Sequence, residues 1–316
     1  MSAAGWLTQL LEVVAALAAA PALLGWVNQC RAWLQNRRAP SLGLPYRNLH
    51  KLFHKEAVIA TNASPLFRLA PYVVFGAMTL AAGIIPSLGT RLPLVSVADA
   101  IALVGLFAAA RMFMALAAMD VGTAFGSMGA RREMMVGFLA EPALLMVIFV
   151  AAMVSSSTAL PVITAHLASG RIGLSPGLAF SGVAFVLVLL AENARIPVDN
   201  PATHLELTMM HEAMLLEYSA RHLALMEWAA ALKLFNYVCL GCALFLPWGV
   251  VRGESGPLGW LVASAALAAK LVAAGAILAL IETVAAKLRV MRVPEFLASA
   301  FLFAVLGMLV HVLLGA

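Results

Sequence analysis

Runs of about twenty apolar residues govern what this chain can fold into. A helix needs about 20 of them to cross the hydrocarbon core of a bilayer. About eight such runs occur, near 4–27, 69–88, 97–119, 135–156, 176–193, 222–248, 257–284 and 294–315. Backbone polar groups find no water in lipid, so only helices and closed barrels can cross it. The runs lack the period-2 alternation of barrel strands and are rich in Ala, Leu and Met. The predicted class is therefore all-α: a polytopic membrane protein with about eight transmembrane helices, forming a single integral membrane domain over residues 1–316. Charged residues make up 11% of the chain and hydrophobic ones 63%. Soluble domains carry about 25% charged residues, so an ordinary soluble domain is excluded. No Lys or Arg precedes the first run, so it reads as a retained span rather than a signal peptide.

The cations set the expected orientation. Arg31, Arg37, Arg38, Arg47, Lys51, Lys55 and Arg68 lie between the first two spans. Arg131 and Arg132 lie in the third-to-fourth connection, Arg195 and Arg221 in the fifth-to-sixth, and Lys287, Arg289 and Arg292 in the seventh-to-eighth. The other face has Arg91, Arg171 and Arg252. By the positive-inside rule both termini face outward. The formal net charge of +5 thus belongs to topology and implies no nucleic-acid partner.

Segment 28–68 is too polar to span. It mixes Trp33, Leu34, Leu52 and Phe53 with seven cations, the pattern of an amphipathic segment lying at the cytoplasmic interface. Pro40 and Pro45 interrupt it, which leaves 46–58 as the expected helix. A topological anchor and a docking surface for a cytoplasmic partner fit it equally. The three cysteines are too few for a disulfide framework or a cluster site. Cys239 and Cys242 lie inside an apolar run and read as small residues packing in a membrane helix.

Ionisable groups inside the spans are costly, at roughly 2.5–3.5 kcal/mol each on insertion scales. Here they are Glu12, Arg111, Glu141, Glu192, Glu227, Lys233, Lys270 and Glu282, with Asp99 and Asp120 near span ends. Glu12 and Asp99 read as interfacial. Glu141 is followed by Pro142, a helix-kinking residue. Glu227 and Lys233 are six residues apart, so they face different partners. Ion pairs that only hold helices together would account for the set. So would a hydrated chain of proton-exchanging carboxylates.

The most polar stretch is the acidic cytoplasmic loop 193–221, with Asp199, Glu206, Glu212, Glu217, His204, His211, Arg195 and Arg221. Asn200–Pro201 is a helix-start signal, predicting a helix over about 201–218. Such a helix would put Glu206 and Glu217 on one face and make Glu217–Arg221 an i,i+4 pair. The two histidines lack the HExxH spacing of a zinc site and read as hydrogen-bonding or proton-exchanging groups. No metal site is predicted.

Glu192-x-x-Arg195-x-Pro197-x-Asp199-x-Pro201, followed by Glu206-Leu207 and Glu217-Tyr218-Ser219, resembles the signature of the complex I subunit 1 family. That family includes the membrane anchors of group 4 nickel–iron hydrogenases. Gln35-Asn36-Arg37, Lys51-Leu52-Phe53 and the spacing of Arg132 to Glu141 are similar as well, and the likeness covers most of the chain. The quinone-reducing branch has acidic residues where this chain has Ala202, Thr203 and His204. The wording of 196–219 and of AKLRVMRVPEFL is similar to the group containing formate hydrogenlyase subunit 4 and hydrogenase-4 component C.

The resemblance implies a non-catalytic membrane anchor in an oxidoreductase complex of the inner membrane. The implied partners are hydrogenase-like large and small subunits, an iron–sulfur protein, antiporter-like membrane subunits and the lipid bilayer. Iron–sulfur clusters, and a nickel–iron centre where one is retained, would sit in those partners and none in this chain. A proton relay is expected through Glu141, Glu192, Glu206, Glu212, Glu217, Glu227, Lys270 and Glu282. Arg37, Arg132, Arg195, Asp199 and Arg221 are the implied interface and motif residues. The alternatives are a quinone-binding subunit 1 of respiratory NADH dehydrogenase and a stand-alone ion transporter. A transporter would be expected to carry internal repeats with paired broken helices, and no repeat is evident.

Overall fold

The structure is a computed structural model; it describes residues 3–90, 93, 99–169, 175–199, 210–251, 257–286, 288 and 292–314. In chain order the helices are α1 (Ala3–Leu34), α2 (Leu44–Phe53), α3 (Pro65–Ile84), α4 (Ala100–Asp120), α5 (Ala124–Ser155), α6 (Leu160–Leu167), α7 (Pro176–Glu192), α8 (His211–Leu215), α9 (Ala220–Phe245), α10 (Pro257–Val284) and α11 (Val293–Leu314). Among the described residues there is no strand; Gly89 and Val251 form an isolated bridge. The chain is all-α, as predicted.

Among the described residues seven helices are long and apolar enough to cross a membrane: α1, α3, α4, α5, α9, α10 and α11. The remaining predicted span is α7, with 17 residues. At 1.5 Å per residue it is about 26 Å long, slightly short of a bilayer core. Two helices are longer than their apolar runs. α1 continues to Leu34, so residues 28–34 belong to the first span and not to the interfacial segment. α5 starts at Ala124 instead of near 135, because Thr123 accepts a hydrogen bond from the Gly126 N–H and supplies an N-cap. That extension brings Glu133 into a membrane helix.

α2 is the interfacial helix. It starts at Leu44 with Pro45 in its first turn, where the missing N–H costs nothing. It buries Leu49 and leaves Arg47 and Lys51 exposed. Phe53 at its end meets the Trp228 ring edge-on, with 6.3 Å between centroids.

The spans pack pairwise. α3 lies against α4, α4 against α5, and α5 against α7 and α11. α9 inserts beside α1 and α3 and is the most enclosed span. α10 packs mainly on α1 and keeps most of its surface uncovered. The core is a continuous cluster rich in alanine along α1, α3, α4, α5 and α9. Small side chains permit the close helix approach that lipid alone does not drive.

One expectation about polar residues changes here. Glu12 is not interfacial in the sense of being wet: it is 1% exposed, and its Oε1 accepts the backbone N–H groups of Leu88 (3.1 Å) and Gly89 (2.7 Å). Asp99 behaves as expected of a span end, capping α4 through the N–H groups of Ile101 and Ala102. Cys239 and Cys242 are free and buried in α9.

Candidate functional site

α7 ends at Glu192, and the chain turns at once. The Arg195 N–H donates to the Leu190 carbonyl, and the Asp199 N–H donates to that of Arg195. This compact turn aims the motif's side chains in three directions. Glu192 points into the bundle, toward α4 and α9. Arg195 reaches across to α10, with Nη1 3.0 Å from Glu282 Oε1. Asp199 turns back to α8, where its Oδ2 accepts the N–H groups of Met210 (3.1 Å) and His211 (3.3 Å). The Pro197 carbonyl accepts from the Leu288 N–H at 2.9 Å, which fastens the turn to the chain beyond α10.

Arg111 on α4 is the hub of the interior. Its guanidinium hydrogen-bonds Glu141 and Glu192, and its Nε lies 3.8 Å from Glu133. Glu192 Oε2 is shared with Lys233 of α9, whose Nζ is 3.0 Å away. Five ionisable groups from four helices thus form one cluster, in which Arg111 is 3%, Glu133 5% and Glu192 4% exposed. Burying so many charges is tolerable only when they are paired and hydrogen-bonded. Glu133, Gly137 and Glu141 lie at i, i+4 and i+8 on α5, a single face turned to Arg111. Gly137 makes the seat: a Cβ there would lie 2.1 Å from Arg111 Nη1.

Under the loop lies a cavity of about 620 Å³. Its wall includes Glu192, Arg195, Asp199, His211, Glu212, Glu227 and Lys233, along with apolar Leu24, Leu215 and Leu223. A smaller void of about 110 Å³ adjoins it through Leu24, Asn28, Glu227 and Ala231 and reaches Leu49 of α2. His211 lines the large cavity and also a narrow crevice leading to Arg111. Its pKa is lowered to about 4, first by burial and then by Lys233, with Asp199 opposing. Burial likewise pushes the Tyr218 hydroxyl up; that hydroxyl donates to the Phe67 carbonyl at 3.1 Å.

The structure gathers part of the predicted set. Glu141 and Glu192 meet at Arg111, and Glu212 and Glu227 lie on the cavity wall; Lys233, which was not among the predicted relay residues, joins through Glu192. Glu282 pairs with Arg195 and, at 3.6 Å, with Arg31. Glu227 and Lys233, six residues apart, line the same cavity, and Lys233 pairs with Glu192. Lys270 stands apart: its ammonium donates to the Trp248 carbonyl, beside the cysteine pair of α9. Glu206, His204, Asn200 and the first half of the predicted 201–218 helix lie outside the described residues. The described part of that helix ends at Leu215. A fresh helix starts at Ala220, so Glu217 and Arg221 occupy different segments and form no ion pair. Arg37 is exposed after α1. Arg132 is half-buried on α5 but does not pair with Glu141, whose partner is Arg111.

Glu133 was missed, and Arg111 was not assigned to the site. The Glu-x-x-x-Gly-x-x-x-Glu register of 133–141 was the available signal. It went unread because the apolar run begins after Glu133.

A family model described as NADH dehydrogenase matches residues 8–313. Formate hydrogenlyase subunit 4 of Escherichia coli is 34% identical over 298 residues, covering 94% of this chain and 96% of that protein. Hydrogenase-4 component C of Escherichia coli is 36% identical over 241 residues, covering 76% of this chain and 75% of that protein. Among solved structures, a chain of the membrane-bound sulfane sulfur reductase, an archaeal respiratory membrane complex, has the same fold. Its TM-score is 0.80 at 20% identity, covering 96% of this chain and 98% of that one. The membrane helices and these likenesses together make the protein a multi-pass, complex I-like membrane subunit that belongs to the NADH dehydrogenase subunit 1 family.

Proposed function

We propose that this chain is the membrane anchor of a complex I-like oxidoreductase of the formate hydrogenlyase or hydrogenase-4 type, in the inner membrane with both termini outward. It docks a cytoplasmic arm of hydrogenase-like large and small subunits and an iron–sulfur protein. It relays redox energy to proton or sodium movement in antiporter-like membrane subunits. The iron–sulfur clusters, and a nickel–iron centre where the large subunit keeps one, belong to the arm and not to this chain.

One observation carries the reading. The described flanks of the acidic loop line a cavity whose wall also contains Glu192 and Lys233, and from there Arg111 continues to Glu133 and Glu141 in the bundle interior. A charge arriving at the loop surface therefore meets an unbroken set of coupled groups. Moving one proton onto Glu192 releases part of the hold on Arg111, and Glu133 and Glu141 then compete for it. Glu212 and Glu227 on the wall are the entry groups. Glu217 belongs to the loop side of this path. Glu282 acts as the tether of that side through Arg195, and Lys270 serves the opposite half of the membrane.

Replacing Glu192 and Glu141 by Gln in the assembled complex tests this. Coupled ion movement is expected to fall while electron transfer within the arm persists. Unchanged coupling in the double variant would remove the relay.

A quinone-binding role has one observation on its side: a cavity of about 620 Å³ with a mixed polar and apolar wall falls within the roughly 300–1,000 Å³ of small-molecule sites. Quinone-dependent activity sensitive to site-directed inhibitors would favour that role over the hydrogenase-type reading.

A further inference from the structure

The first turns of α3 and α9 stand side by side at the same end of the bundle. The Tyr218 and Phe67 rings stack with centroids 4.1 Å apart. Ser219 Oγ donates to the Val58 carbonyl at 2.7 Å and accepts from its N–H at 3.0 Å. Each first turn contributes one exposed arginine, Arg68 and Arg221, and neither meets a carboxylate among the described residues. Behind them His222 is 4% exposed, edge-on to Tyr72 at 5.9 Å, with both guanidiniums as electrostatic neighbours. It has no hydrogen-bond partner among the described residues. From Arg68 an uncovered stripe descends α3: Leu69 is 53%, Tyr72 48% and Leu80 53% exposed. Gly76 lies between them, where a Cβ would meet nothing within 4 Å. These positions follow helical spacing and form one face.

Two arginines with no carboxylate partner among the described residues, at the head of an apolar, grooved stripe, match an anionic head on a hydrocarbon tail. Arginine offers a fork of donors suited to phosphate oxygens, and basic pockets between spans hold charged lipid headgroups. A zwitterionic headgroup would bring its own cation beside the two guanidiniums, whereas an anionic one brings only the phosphate charge and hydroxyl groups. We propose that Arg68 and Arg221, backed by His222 and Tyr72, bind the headgroup phosphate of an anionic phospholipid, with an acyl chain laid along Leu69, Gly76 and Leu80. The site is separate from the loop cavity and stands whether or not the relay does.

The test uses the full chain with whatever subunits it carries, extracted in mild detergent and reconstituted in nanodiscs of phosphatidylcholine with graded phosphatidylglycerol. Bound lipid is read by native mass spectrometry. The parent protein is expected to retain phosphatidylglycerol, and Arg68→Gln with Arg221→Gln to reduce its apparent affinity about tenfold. Arg68→Lys with Arg221→Lys should keep most of it. Gly76→Leu, which fills the stripe without touching a charge, should also weaken retention. Equal retention by the Gln pair, or phosphatidylcholine held as tightly as phosphatidylglycerol, would overturn the proposal. Displacement by millimolar inorganic phosphate would make this a free-phosphate site instead. Cross-links from Arg68→Cys to a protein subunit in place of lipid would make it a partner-docking surface.

Discussion

Arg195 Nη1 lies 3.0 Å from Glu282 Oε1 and joins the loop after α7 to α10. The Glu282 side chain is 1% exposed, and its other neighbour, Arg31, is 3.6 Å away. Removing one member of a buried pair strands the other, at a cost of about 3–5 kcal/mol. Arg195→Gln is therefore expected to lower the thermal unfolding temperature in detergent markedly, and Arg195→Gln with Glu282→Gln to recover part of it. Single and double variants falling by independent, additive amounts would mean that the contact carries no coupling.

Gly137 leaves the space in which the Arg111 guanidinium sits. Gly137→Ala would place a Cβ 2.1 Å from Nη1, and three carboxylates prevent that guanidinium from moving aside freely. Overpacking of this kind costs about 1–3 kcal/mol. Lower stability is expected, with a loss of coupled ion movement similar to that of Glu192→Gln. A variant as stable and as active as the parent would show that Arg111 has a second position of equal energy.

Asp199 caps α8 from a distance by accepting two backbone N–H groups, those of Met210 and His211. Loss of a cap costs about 0.5–2 kcal/mol. Asp199→Ala should leave the spans intact and raise protease sensitivity around residues 210–216, visible as new cleavage fragments under limited digestion. Asp199→Asn, which retains an acceptor oxygen, should lie between.

His211 has a pKa lowered to about 4 in the folded chain, against about 6.5 unfolded. The unfolded chain thus binds more protons between those values, so stability is complete above pH 6.5 and declines as pH falls toward 4. After allowance for the partial exposure of His211, the effect is about 1 kcal/mol. Thermal unfolding at pH 7 and pH 5 should show a larger drop for the parent than for His211→Gln. Equal drops would locate the acid sensitivity elsewhere.

The sequence by itself determined the membrane architecture, because an apolar run about twenty residues long has one stable solution in lipid. It also located the loop motif, since Glu192, Arg195, Asp199 and their prolines are close in sequence. It did not reveal where the motif's charges go. Arg111 is 30 residues from Glu141 and 81 from Glu192, and no local pattern reports contacts over such separations. Helix length beyond the apolar run was also hidden: Thr123 capping extends α5 and brings Glu133 into the cluster. Likewise, i,i+4 spacing implied a Glu217–Arg221 pair that the non-helical turn between α8 and α9 removes. Only packing decided which carboxylates share one guanidinium and which, like Glu12, merely close a turn. Burial forces each charge to find a partner, and the tertiary fold dictates which partners are within reach.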